Sequence, residues 1–91
     1  MRVTKKDLLI VLSKIATLEN EAINRNEAIE KGKDKFYDLE YDKNYGGYRV
    51  VKVDINSYAH YGAFNGSGTE SRISAREMLT KLQTILYNLK K

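Results

Sequence analysis

Apolar residues recur at three- and four-residue steps near the start of the chain: Leu8, Val11, Leu12, Ile15, Leu18, Ala22 and Ile29. That is the spacing of one helix face. Thr4 is a good N-cap, and Asp7 three residues on makes a variant capping box. The best stop is Gly32, just after Lys31, where a left-handed C-cap is comfortable. These signals predict a first helix from about residue 5 to about residue 30. Asn20, Asn24 and Asn26 are mediocre helix formers and would fray or bend its second half.

The period then changes from helical to alternating. In residues 36–42, Tyr37, Leu39 and Tyr41 fall on one side and Asp38 and Glu40 on the other. This predicts a half-buried strand. Asn44-Tyr45-Gly46-Gly47 reads as a turn, because glycine accepts positive φ. Tyr48–Ile55 is valine-rich, and Val51, Val53 and Ile55 share a face, which predicts a second, antiparallel strand. Residues 57–64 predict a short third strand at the edge. Tyr58, His60 and Gly62 would share one face, with Tyr61 and Ala63 on the other. Asn65–Thr69 reads as a flexible loop.

The end of the chain is helical again. Ser74 and Glu77 have the spacing of a capping box, and Ile73 and Met78 that of a hydrophobic staple. Met78, Leu79, Leu82, Ile85, Leu86 and Leu89 form one apolar stripe. Lys90 and Lys91 complement the helix dipole at its end. Two apolar helix faces and one apolar sheet face must cover each other. The expected fold is therefore a single α+β domain over residues 1–91. It has αβββα order in two layers, both helices on one face of an antiparallel sheet of two or three strands. The other sheet face would stay open, carrying polar and tyrosine side chains.

Length and composition agree with one small core. The chain has 91 residues, 42% hydrophobic and 31% charged, a globular balance. With no cysteine and one histidine, thiolate chemistry and a two-histidine metal site are excluded. No apolar run approaches the roughly 20 residues of a membrane span. The basic, then apolar, start is too short in its Leu8–Leu12 core for a secretory signal, so a cytoplasmic setting is expected.

The net charge of +4 is unevenly spread. Residues 1–18 carry +3, residues 19–42 carry −4 and residues 43–91 carry +5. The basic excess favours nucleic acid or acidic surfaces, and the acidic middle weakens that reading.

The segment Tyr45 to Val53, YGGYRVVKV, is followed by Ser71 to Leu82, SRISAREMLTKL. Together they resemble a family of small uncharacterised phage and prophage proteins. The shared order is an amphipathic helix, a YGGY-Arg-aliphatic strand, a glycine-containing loop, and Ser-x-Arg-Glu opening a last helix. The resemblance implies a phage product acting inside a bacterium. It implies no activity and carries over no catalytic residue. The loop from Asn56 to Glu70 and the polar stretch 20–30 depart from its pattern.

Three function classes can be weighed on the residues. For catalysis, His60 would need a serine such as Ser57, Ser67 or Ser71 and a carboxylate such as Asp54 or Glu70, and no spacing enforces this. Asp38, Glu40 and Asp42 alternate along a strand toward solvent, whereas an acid catalyst needs burial to raise its pKa. Gly66-x-Gly68 lacks the lysine and pattern of a phosphate loop. No catalytic, cofactor-binding or metal residue is therefore assigned.

For nucleic acid, Tyr45, Tyr48, Arg49, Lys52, Tyr58, Tyr61, Phe64, Arg72 and Arg76 mix stacking and basic groups. No recognised nucleic-acid-binding motif accompanies them. For protein binding, seven tyrosines with no tryptophan is a high count. Tyrosine gives wide contact with few rotatable bonds. The acidic stretch Glu19–Asp42 could imitate phosphate charge toward a basic channel on a partner. The expectation is a non-enzymatic phage-type accessory protein that binds a host or defence protein, an anti-defence inhibitor being one form. The alternative is a nucleic-acid-binding accessory protein using a tyrosine/arginine surface on the sheet. The expected contact residues are Tyr45, Tyr48, Arg49, Tyr58, Tyr61 and Arg72. No cofactor and no membrane partner are expected, and a homodimer is compatible with either class.

Overall fold

A computed structural model describes residues 2–44, 46–64 and 67–91. Helix α1 spans Lys5–Glu19 and opens on Thr4. The Thr4 amide donates to Asp7 Oδ2 at 2.8 Å, and the Asp7 amide donates to Thr4 Oγ1 at 3.3 Å, so the box closes from both sides. The single helix expected to residue 30 is instead two. Asn20 ends α1 in the left-handed region, φ 56° and ψ 42°, which asparagine tolerates better than most residues. Asn24 then caps α2, Arg25–Lys31, by accepting the Glu27 amide at 2.8 Å. Gly32 closes α2 at φ 70°. The asparagines are thus a C-cap and an N-cap rather than weak points in one helix.

Strands β1 (Lys35–Tyr41), β2 (Tyr48–Asp54) and β3 (His60–Gly62) form an antiparallel sheet in that order. In register, Tyr41 faces Tyr48, Glu40 faces Arg49, Leu39 faces Val50 and Val53 faces His60. Helix α3, Ala75–Lys90, opens on Ser74, whose side chain accepts the Glu77 amide. The core joins Leu8, Leu12, Ile15 and Ala16 of α1, Tyr37 and Leu39 of β1, Val50 of β2, and Met78 and Leu82 of α3. The α1 and α3 layer therefore covers one face of the sheet, as expected.

Two expectations are corrected in detail, and the shared face of Val51 and Val53 is located. Val51 and Val53 lie on the face turned away from α1 and α3, opposite Asp38 and Phe36, while Val50 enters the core. Both are nevertheless buried, so β2 is apolar on both faces. Next, all four strand tyrosines lie on the helix side. Tyr37 and Tyr41 share a face of β1, Tyr48 opposes Tyr41, and Tyr61 opposes Lys52, itself opposite Tyr37. The outer face carries Asp38, Glu40, Arg49 and His60 instead of tyrosines.

The second correction concerns the loop after β3. Asn65 and Gly66 lie outside the described residues, but Ser67 to Thr69 are tied down. Thr69 is fully buried, and its carbonyl accepts the Val50 amide at 2.7 Å. Tyr48 and Ile73 exchange amide-to-carbonyl bonds of 2.7 and 2.9 Å. Residues 69–73 therefore complete the edge of β2 that the three-residue β3 leaves bare.

The outer edge of β1 is covered over only half its length. The Tyr37 amide points away from β2 and donates to the Ala22 carbonyl at 2.8 Å. By strand alternation, the backbone groups of Leu39 and Tyr41 point the same way. Among the described residues nothing pairs with them there. No helix of the described residues is long and apolar enough to cross a membrane.

Candidate interaction surface

The expected contact residues divide between the two ends of the sheet. At the β1–β2 turn end, Tyr48, Arg49 and Arg72 come together. Tyr41 joins them, its ring 4.8 Å from that of Tyr48 and tilted by 43°. Tyr48 is held in place by its backbone exchange with Ile73, while Tyr41, on the edge strand, is 52% exposed. Arg72 Nη2 lies 3.5 Å from Asp42 Oδ2. Tyr45, also expected here, lies outside the described residues.

Arg49 passes to the outer face. Its Nε donates to Glu40 Oε1 at 2.6 Å, and its Nη2 lies 3.4 Å from His60 Nδ1. His60 Nε2 is 4.0 Å from Glu40 Oε2. Gly62 stands opposite Val51, between these groups, and offers no side chain to separate them. A guanidinium held edge-on by a carboxylate at 2.6 Å is a charge-assisted bond that fixes both partners.

Asp38 shares this face two residues along β1, yet no ion pair or hydrogen bond reaches its carboxylate from the described residues. Burial raises its pKa above the usual carboxylate value, and the neighbouring Glu40 raises it further. His60, Lys5 and Arg49 oppose that shift through space.

Tyr58 and Tyr61 sit at the other end, on the β2–β3 hairpin. Asp54 organises the turn by accepting the amides of Asn56 and Ser57, both at 2.9 Å. Those amides hold its carboxyl below the usual range. Tyr58 is 58% exposed and has φ 60°, a conformation costly for a bulky side chain. Tyr61 is half exposed, with Lys35 Nζ 5.1 Å from its ring centre. Beyond it, Lys52 Nζ lies over the Tyr37 ring and 3.7 Å from Glu21. The Tyr37 hydroxyl donates to Glu19, and burial with that bond pushes its pKa up.

Clefts on the surface are open. One of about 290 Å³ is lined by Glu21, Gly32, Lys33, Asp34, Lys35 and Lys52. An apolar one of about 360 Å³ runs between α1 and α3 beside Leu18 and Leu86. Among the described residues, no group of three or more histidine or acidic side chains is placed to hold a metal ion.

Sequence reasoning misses two residues, Tyr41 at the turn end and Asp38 at the middle of β1. Alternation puts Tyr41 on the same side as Tyr37 and Leu39, and the register agrees. But the strand runs past the helices, so its last tyrosine is left half bare. Residue type and alternation make Asp38 one of several solvated carboxylates, whereas the structure half-buries it, without an ion pair among the described residues, beside the Glu40–Arg49 pair. Comparison of the chain with protein-family models, with curated proteins and with solved structures finds no match.

Proposed function

We propose that this chain is a non-enzymatic, phage-type accessory protein that binds a host or defence protein through the β1–β2 turn end of its sheet. The observation that carries this reading is the Tyr41–Tyr48 pair, an exposed aromatic braced by a backbone-anchored one. Aromatic anchors within a mixed-charge rim are the usual makeup of protein interfaces. The rim here is Asp42–Arg72 on one side and Glu40–Arg49 on the other. Both arginines have carboxylate partners, which suits a protein surface better than a phosphate backbone. A nucleic-acid platform on the outer sheet face would want several stacking rings there, and its strand positions hold only Phe36 and the His60 imidazole, beside charged and aliphatic groups. The bacterial setting and the anti-defence role rest on the resemblance to phage proteins alone.

The test is affinity capture from a bacterial lysate, one half treated with nuclease and both halves washed with rising salt. A protein retained after nuclease at moderate salt, and lost when Tyr48→Ala is combined with Arg49→Ala in a folded chain, is the expected result. Recovery of nucleic acid alone, released steeply by salt, would favour the alternative and overturn this reading.

A further inference from the structure

The turn end also offers backbone. We infer that the bare half of the β1 edge, Leu39 to Tyr41, accepts an extended, positively charged segment of a partner protein as an added strand, with a lysine or arginine of that segment paired to Asp38. This rests on the protein-binding reading and names the chemistry of the partner.

Three observations meet at this edge. The Leu39 and Tyr41 backbone groups point outward with no partner among the described residues, whereas the N-terminal half of the same edge is already occupied by Ala22. Unpaired edge groups are a template for strand addition. Side chains of an added strand would alternate between the two faces. On the outer face they would meet Asp38 and Glu40, of which only Glu40 has a close cation. On the helix face they would meet the exposed Tyr41 ring. The fitting segment thus alternates cationic residues with apolar or aromatic ones. Its cation would supply the direct pair that Asp38 lacks, since His60, Lys5 and Arg49 act on it only through space.

The same charges argue against a second copy of this chain on that edge. An antiparallel β1–β1 pair centred on Leu39 would set Asp38 of each copy opposite Glu40 of the other. Like charges directly opposed across a ladder are destabilising.

The test is an amide-resolved NMR titration of the whole chain with two capped eight-residue peptides, one alternating lysine and valine, the other alternating glutamate and valine. The expected result is saturable shifts at the Leu39 and Tyr41 amides with the lysine peptide and none with the glutamate peptide. Asp38→Asn, a surface change that leaves the core untouched, should weaken lysine-peptide binding by about three- to tenfold. A lysine peptide N-methylated at alternate residues should not bind, because it cannot complete the ladder.

No response at Leu39 and Tyr41, or equal responses to both peptides, would overturn the inference. So would concentration-dependent shifts at Leu39 without peptide, which would put a second copy on the edge. The same shifts produced by oligothymidylate would also overturn it. Failure here with protein capture intact removes only the edge inference. Capture of nucleic acid alone removes the reading on which it rests.

Discussion

The two ends of this small sheet both display tyrosines, but they are built differently. At the hairpin end, Tyr58 and Tyr61 stand over a turn fully organised by Asp54, beside an edge already taken by Ala22. At the turn end, Tyr41 leans on Tyr48 beside bare backbone and an unmatched carboxylate. Exposure alone therefore does not separate a contact surface from ordinary surface. Tyr58 is more exposed than Tyr41, at 58% against 52%, yet its surroundings make no further demand on a partner. What distinguishes the turn end and the half of β1 leading to it is aromatic area, open main-chain groups and a carboxylate, Asp38, without an ion pair among the described residues.

The comparison can be broken most strongly at Gly47. Its φ is 94°, and a Cβ there would lie 3.0 Å from the Ile73 carbonyl oxygen. Gly47→Ala should destabilise the chain by about 2–4 kcal/mol, through backbone strain and loss of the Tyr48–Ile73 pairing. Denaturant unfolding reads this directly. Gly46→Ala, at φ 71° with open space around it, should cost only about 1 kcal/mol.

A smaller and opposite effect is expected at the other end. Tyr58→Gly relieves a left-handed tyrosine, partly offset by the greater freedom of glycine in the unfolded chain. A net gain of about 0.5 kcal/mol is expected, with the hairpin and the captured partner unchanged. A loss of stability in the same unfolding measurement would show that the Tyr58 ring packs usefully despite its exposure.

Asp38 gives the smallest effect and the clearest sign. Its pKa is raised in the folded chain, so its favourable contribution is complete below the unfolded carboxyl value. That contribution is lost as pH rises through the folded value, leaving an ionised, unmatched carboxylate at neutral pH. Asp38→Asn should therefore stabilise the free protein at pH 7, by roughly a few tenths of a kcal/mol given solvent screening. The difference from wild type should shrink as pH falls below the usual carboxyl range. A stability gap that widens in acid would contradict the assignment.

The fold was legible where one local signal had one meaning. Thr4 with Asp7, Gly32 and Ser74 with Glu77 each marked a helix terminus, and the period-two run of β1 gave its two faces. The break at Asn20 was also written in the chain, since asparagine followed by Asn24-x-x-Glu27 is a C-cap and then an N-cap. Read only as weak helix propensity, those residues hid two termini. In β2 the run Val50, Val51, Val53 could not name its core side, because a central strand is apolar on both faces. The pairing of residues 69–73 with β2 left no local pattern, because backbone bonds made at long range select no side chain. The candidate surface was half legible for the same reason. Tyr48, Arg49 and Arg72 could be nominated from residue type, but their company, Tyr41 and Asp38, depends on register and on where the helices stop.

Which end of the sheet holds the partner is the decisive question. The direct measurement is nuclease-treated capture with Tyr41→Ala and Tyr58→Ala proteins side by side, each first shown to unfold cooperatively. Tyr41→Ala should weaken retention about tenfold or more, as truncation of an aromatic interface anchor does, while Tyr58→Ala should retain the partner as wild type does. Retention by Tyr41→Ala together with loss by Tyr58→Ala would move the site to the hairpin and contradict the account.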